Sequence, residues 1–141
     1  MAATFELEIA TPEKLLISDT VSEAQIPGRE GYLGILPGHA ALLSELGVGL
    51  LTYTAGGRPY HLAVHGGFVE VTPDKVRVLA DAGEVAGFID TTRAEEALKR
   101  AHERLASPKE NLDVVRALRA LHRAEARLQA ARLAAGKSPL E

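Results

Sequence analysis

Hydrophobic positions along this chain follow two rhythms. From Thr4 to Ala80 they recur at every second residue, in short runs punctuated by glycine and proline; from Ile89 onward they recur at every third or fourth. A period of two marks strands and a period near 3.6 marks helices, so the change at Phe88-Ile89-Asp90-Thr91-Thr92-Arg93-Ala94 divides the chain. The pattern predicts a strand-rich body over residues 1–88 and a helical piece over 89–141.

Within the body, Thr4 to Ile9 alternates cleanly, with Phe5, Leu7 and Ile9 on one face and Glu6 and Glu8 on the other. Lys14 to Ser18 and Val21 to Ile26 read as further strands, the latter stopped by Pro27-Gly28. Hairpin signals lie at Gly56-Gly57, between Leu50–Thr54 and Tyr60–His65, and at Thr72-Pro73-Asp74-Lys75, between Phe68–Val71 and Val76–Ala80. Many short strands before any helix predict an antiparallel sandwich or flattened barrel, and with the helices a segregated α+β fold.

In the second piece, Thr92-x-x-Glu95 has the form of a capping box. Ala94, Ala97, Leu98, Ala101 and Leu105 then give a narrow stripe, ended by Ser107-Pro108. A second helix is expected from near Glu110 to about Ala135, closed by Gly136 and Pro139, with the two helices paired as an antiparallel hairpin. Alanine buries little area, so such a seam holds weakly and opens at modest cost.

One run in the body breaks the alternation: Gly31-Tyr32-Leu33-Gly34-Ile35-Leu36-Pro37-Gly38-His39-Ala40-Ala41-Leu42-Leu43-Ser44-Glu45-Leu46. It is too rich in glycine for a helix and too apolar for a solvated loop. Either it is a buried strand, a turn and an apolar cover for one end of the sandwich, or Leu33, Ile35, Leu36, Leu42 and Leu43 face a partner protein.

Composition changes the picture little, and charge changes it more. The 141 residues are 46% hydrophobic and 25% charged, an ordinary globular mix, and no run approaches the roughly 20 apolar residues of a membrane span. The amino terminus lacks the basic start and apolar core of a signal peptide, which gives a cytosolic expectation. With no cysteine, disulfides and thiolate metal sites are excluded, and the five histidines do not fall at zinc spacing, so no metal is expected. The net charge of −3 conceals an asymmetry: 11 acids against 5 bases up to Phe88, then 8 acids against 11 bases, with eight of the eleven arginines in the helical piece. An acidic body with a basic tail points to an anionic partner for the tail.

Arg93, Arg100 and Arg104 are spaced by 7 and 4, as are Arg116, Arg123 and Arg127. Seven residues fall about 20° short of two helical turns and eleven pass three by about 20°, so each set forms one stripe. Solvated arginines paired at i,i+4 with acids such as Glu96 or Glu103 would account for some of them, but the second helix has too few acids for its arginines. Nucleic acid is disfavoured as the partner, because the body is acidic and no aromatic residue follows Ile89. An acidic protein surface and a nucleoside triphosphate remain, both suited to arginine forks. No Gly-x-x-x-x-Gly-Lys-Ser/Thr loop and no nucleophile–base pairing is present, so a nucleotide would be sensed and not turned over.

The Gly31 to Ser44 run closely resembles the Gly-x-x-Gly-Ile-Leu-Pro-Gly-His-Ala-x-Leu-Leu-Ser signature of the epsilon subunit of bacterial F-type ATP synthases, called delta in mitochondria. Gly66 to Val71 and Val76 to Asp81 are similar to that family's later strands. The resemblance implies a sandwich of about ten strands over 1–88, docked on the gamma stalk subunit and the membrane c-ring, with Leu33, Ile35, Leu36, His39, Leu42 and Leu43 as the partner face. Ile89-Asp90-x-x-Arg93-Ala94 matches the motif of the family's ATP-binding members. By that resemblance Ile89, Asp90 and Ala94 would line an adenosine pocket, Arg93, Arg100, Arg116, Arg123 and Arg127 would hold phosphates, and Glu84 would contribute an acid. Taken without the distal arginines, Asp90 and Arg93 read as an acid at a helix start with a local ion pair; together with those arginines they read as a site. The implied function is a rotor-stalk subunit of a proton-translocating synthase, peripheral on the cytoplasmic face of the bacterial inner membrane. Its hairpin would sense ATP when folded and reach acidic surfaces of the catalytic beta subunits when extended. A purely structural stalk adaptor without nucleotide binding is the alternative.

Overall fold

The computed structural model describes residues 3–107, 109 and 111–136. The elements are β1 (Phe5–Ala10), β2 (Leu15–Val21), β3 (Glu23–Gly28), β4 (Gly31–Ile35), β5 (Leu42–Glu45), β6 (Val48–Ala55), β7 (Arg58–Val71) and β8 (Lys75–Val85). A 3-10 turn (Ala86–Phe88) then leads into α1 (Thr91–Ala106) and α2 (Val114–Ala134). The strands join in the order β2-β1-β8-β7-β6-β3-β4, with β5 added to β7.

The sandwich is made from one sheet folded on itself at a pair of glycines. β7 pairs with β6 over Arg58–His65 and with β5 over Phe68–Val71, while β8 follows it along both halves. Between the halves Gly66 and Gly67 take φ of 66° and 115°. A Cβ on Gly67 would sit 1.9 Å from the Leu79 carbonyl oxygen, so only glycine lets β7 turn from one layer to the other while keeping β8 as neighbour. The sequence pattern divides this segment into two strands; the backbone continues through the glycines, and among the described residues eight strands stand where about ten are expected. A second difference is that β1 runs parallel to β8, so the sheet is mixed.

Alternation does place the core. Phe5, Leu7 and Ile9 are buried together with Ile26, Leu51, Val69, Val78 and their neighbours in one cluster between the layers. On the outer face of β1, Glu8 takes Lys75 at 2.7 Å and Arg77 at 3.4 Å. The Lys75 hydrogen bond is the main cause that holds its carboxyl below the usual range.

The helices begin on aspartates. Asp90 caps α1 by accepting from the Arg93 amide at 3.1 Å, and Asp113 caps α2 by accepting from the Arg116 amide at 3.0 Å. The capping box expected at Thr92 is therefore replaced by a cap two residues earlier, and Thr92 lies inside the first turn. The expected boundaries at Pro108, Glu110 and Pro139 lie outside the described residues. α2 lies on β6 and β7, and α1 packs on α2. The buried seam between hairpin and sandwich is small: Ala63, Ala86, Ile89, Ala126 and Ala130, with Leu50 and Ala131 partly buried against it. Each buried methyl contributes only about 0.8 kcal/mol, which leaves Ile89 as the largest single anchor.

Candidate functional site

The first arginine stripe and the two later members of the second open onto one cavity. It has a volume of about 490 Å³ and is lined by Arg93, Arg100 and Arg104 from α1, Arg123 and Arg127 from α2, and Glu84 from β8, with alanines of both helices completing the wall. Those alanines, Ala97, Ala101, Ala120 and Ala124, let the helices approach closely and leave the long side chains to form the rim.

Five guanidiniums thus surround one carboxylate. Glu84 is engaged with Arg127, whose Nη2 donates to Oε2 at 3.3 Å and whose Nε lies 2.7 Å from Oε1. The Nε–H is not aligned with that oxygen, so the contact there is Coulombic and the buried Nε–H has no aligned acceptor. Arg123 approaches His65, with Nη1 3.4 Å from Nε2. A guanidinium only donates, so His65 presents a lone pair at Nε2 and carries its proton on Nδ1, which is buried without a partner among the described residues. Among the described residues, Arg93, Arg100, Arg104 and Arg123 have no carboxylate within ion-pair distance, so the i,i+4 pairing with Glu96 or Glu103 does not form.

Of the residues expected at a nucleotide site, Glu84, Arg93, Arg100, Arg123 and Arg127 meet here. Ile89 is instead buried in the hairpin–sandwich seam, Asp90 is engaged as a cap, Ala94 is fully buried, and Arg116 is exposed in the first turn of α2. Arg104 completes the rim although it is absent from the expected set; its spacing of 4 from Arg100 is the signal that places it on the stripe. Among the described residues no group of three His, Asp or Glu side chains could hold a metal ion.

The expected partner face divides. Leu36 and Leu43 are exposed, at 61% and 72%, whereas Leu33 and Leu42 pack partly against the core and His39 is half-buried. Ile35 is a correction: it lies in the core at 2% exposure and has no surface to offer. An apolar row missed in the sequence crosses the outer face of one layer. Leu15 pairs with Ala10, Ala10 with Leu79 and Leu79 with Phe68, and the three large side chains are each more than half exposed. Only the inward positions of these strands read as apolar alternation, so the outward ones passed as ordinary surface.

The family model described as the ATP synthase delta/epsilon chain beta-sandwich domain matches residues 4–86, and that of the delta/epsilon chain long alpha-helix domain matches 89–132. Over 131 residues the chain is 53% identical to the ATP synthase epsilon chain of Solibacter usitatus (strain Ellin6076), covering 93% of this chain and 98% of that one. It is 47% identical over 129 residues to the epsilon chain of Nitratidesulfovibrio vulgaris (strain DP4), covering 92% and 96%. It is also similar to a chain in the cryo-EM structure of the Euglena gracilis mitochondrial ATP synthase, OSCP/F1/c-ring in rotational state 1, with a TM-score of 0.76, 26% identity and coverage of 92% and 81%. A chain in the central stalk/c-ring structure of the Tetrahymena thermophila mitochondrial ATP synthase shares the fold, with a TM-score of 0.53 at 19% identity and 94% coverage of each.

Proposed function

The chain belongs to the delta/epsilon family of ATP synthase subunits, and from that premise we propose that it is a central-stalk subunit whose hairpin senses ATP. The sandwich would seat on the gamma subunit and the membrane c-ring, with Leu36, Leu43 and the Leu15, Leu79 and Phe68 row as the apolar surface available for docking. The whole assembly would sit peripherally at the cytoplasmic face of a bacterial membrane.

The observation that carries the sensing proposal is the cavity rimmed by five arginines against one carboxylate. Uncompensated guanidiniums held together repel one another, and a polyanion between them relieves that repulsion only while the hairpin is folded on the sandwich. A ligand that binds only the docked form stabilises it by RT ln(1 + [L]/Kd), about 2.7 kcal/mol at a hundredfold excess over Kd. The seam it reinforces is mostly alanine, so an increment of that size shifts the population. With ATP scarce, the released hairpin would extend and carry the same arginines to acidic surfaces of the catalytic beta subunits, impeding hydrolysis. The subunit itself would turn nothing over.

Equilibrium dialysis of the chain against labelled ATP tests this, comparing wild type with Arg123→Ala and Arg127→Ala. Binding that falls at least tenfold in each variant supports it; absence of binding, or equal binding, leaves a structural adaptor. The roles of Asp90 as a cap and Ile89 as an anchor favour that adaptor reading, since they account for the motif without a ligand.

A further inference from the structure

His65 is a titratable group that does not line the arginine-rimmed cavity. It stands on β7 at the edge of the Gly66-Gly67 bend, on the strand face that sets Ala63 against the hairpin. Arg123 of α2 donates from Nη1 to its Nε2 at 3.4 Å, and its Nδ1 is buried with no hydrogen-bond partner among the described residues. The docked seam thus uses the ring as a neutral acceptor for a cation that never loses its proton. Two cavities flank the ring, and their walls carry more positive than negative side chains. Arg119, His122, Arg123 and Arg127 come from α2, Asp81 and Glu84 from β8, and Arg29 and Glu45 from the β3–β4 turn and the end of β5. Arg127 engages Glu84 and Arg29 engages Glu45, so of these three carboxylates only Asp81 remains to offset Arg119 and Arg123.

From this we infer that His65 is a proton-operated latch: protonation of its ring releases the helical hairpin from the sandwich. The inference goes beyond ATP sensing and needs no nucleotide. A proton added at Nε2 removes the lone pair that receives the Arg123 N–H, and it sets two donors of like charge 3.4 Å apart. Nothing at the other ring nitrogen compensates, because the buried Nδ1 has no acceptor beside it among the described residues. Once the hairpin is released, the imidazolium and the guanidinium are each hydrated and no longer face one another. Acid therefore favours the released form, as any ligand favours the form that accommodates it. The fully buried seam is alanine apart from Ile89, so the loss of one hydrogen bond and the gain of one repulsion change the docked share. A fall in pH through the histidine range acts on the hairpin in the same direction as scarcity of ATP does under the sensing proposal.

The test follows docking against pH in the full chain without nucleotide. Spin labels on Asp74→Cys and Glu96→Cys, at an exposed turn and an exposed helix face, report the docked share by pulsed dipolar spectroscopy. Every protein compared carries His61→Gln, because burial makes that ring a second source of proton linkage. A ring protonated only in the released form lowers the docked-to-released ratio by up to about tenfold at about pH 5.5, where carboxylates are still charged. The expected result is a fall of at least about fourfold between about pH 8 and about pH 5.5. His65→Gln removes the fall, since glutamine keeps an acceptor for Arg123 and takes up no proton. Arg123→Gln shrinks it to less than about twofold, since the opposing cation is gone. A flat profile in the parent protein overturns the inference, and so does a fall that persists in His65→Gln. Should His65→Gln be released at every pH, Arg123→Gln decides: a shrunken fall upholds the latch and an undiminished one overturns it. Each of these results is read without ATP, so the sensing proposal stands or falls separately.

Discussion

Arg127 and Glu84 meet where helix and sheet come together, with Nε 2.7 Å from Oε1 and Nη2 3.3 Å from Oε2, so one side chain both ties α2 to β8 and rims the cavity. Glu84 is 42% exposed, and solvent screening limits what the pair contributes. Glu84→Gln is expected to loosen the docked hairpin by no more than about 1 kcal/mol, with the difference from wild type shrinking in high salt. Amide exchange of α2 at two ionic strengths checks this.

Ile89 carries the seam. Replacing it with alanine removes the largest fully buried side chain from a contact otherwise built mainly of alanines, with Leu50 only partly buried against it, at about 2–4 kcal/mol. Amides of α1 and α2 are expected to lose protection in Ile89→Ala, while those of β1, β7 and β8 keep theirs.

The bend at the centre of β7 depends on Gly67. Gly67→Ala forces a side chain into a positive φ and against the Leu79 carbonyl, and is expected to destabilise the sandwich by at least about 2 kcal/mol. Gly34→Ala, whose Cβ meets nothing within 4 Å, is expected to stay within about 0.5 kcal/mol of wild type. Urea denaturation of the two variants makes the comparison.

The two capping aspartates give a matched pair. Asp90→Ala and Asp113→Ala should each cost about 1 kcal/mol, with serine at either position restoring most of it. Thermal melts followed at a helical wavelength report it.

Burial holds the His61 imidazole below its usual range, with Nδ1 2.9 Å from the Thr52 hydroxyl. The fold therefore favours the neutral ring. Unfolding takes up a proton once the pH drops below the ordinary histidine value of about 6.5, so this group lowers stability from there downward until the folded pKa is passed. A His61→Gln variant is expected to show a flatter stability profile over that acid range in urea titrations.

Phe5, Leu7 and Ile9 were legible as a buried face because period-two alternation needs no knowledge of the partner strand. The arginines were legible for a similar reason, since a spacing of 7 and 4 fixes a helix face locally. What the sequence did not disclose depends on contacts distant along the chain. The glycine pair at 66–67 read as a boundary, because nothing local says that β8 accompanies β7 through the bend. Parallel pairing of β1 with β8 joins residues some 70 positions apart. At the helix start, Thr92-x-x-Glu95 and Asp90-x-x-Arg93 are both sound caps, and the structure takes the earlier one, which adds residues to α1. Ile35 looked free because its run is crowded with leucines, yet the pairing of β4 with β3 turns it inward. The position of Glu84 against Arg127 exists only once the hairpin folds back.

The most direct measurement is the distance between the sandwich and α1 with and without ATP. The chain has no cysteine, so Asp74→Cys and Glu96→Cys together give one spin-label pair, on an exposed turn and an exposed helix face, readable by pulsed dipolar spectroscopy. Saturating ATP is expected to collapse a broad distribution to the single separation of the docked hairpin, and Arg123→Ala to prevent the collapse. A distribution that is the same with and without ATP would contradict a hairpin held by its ligand.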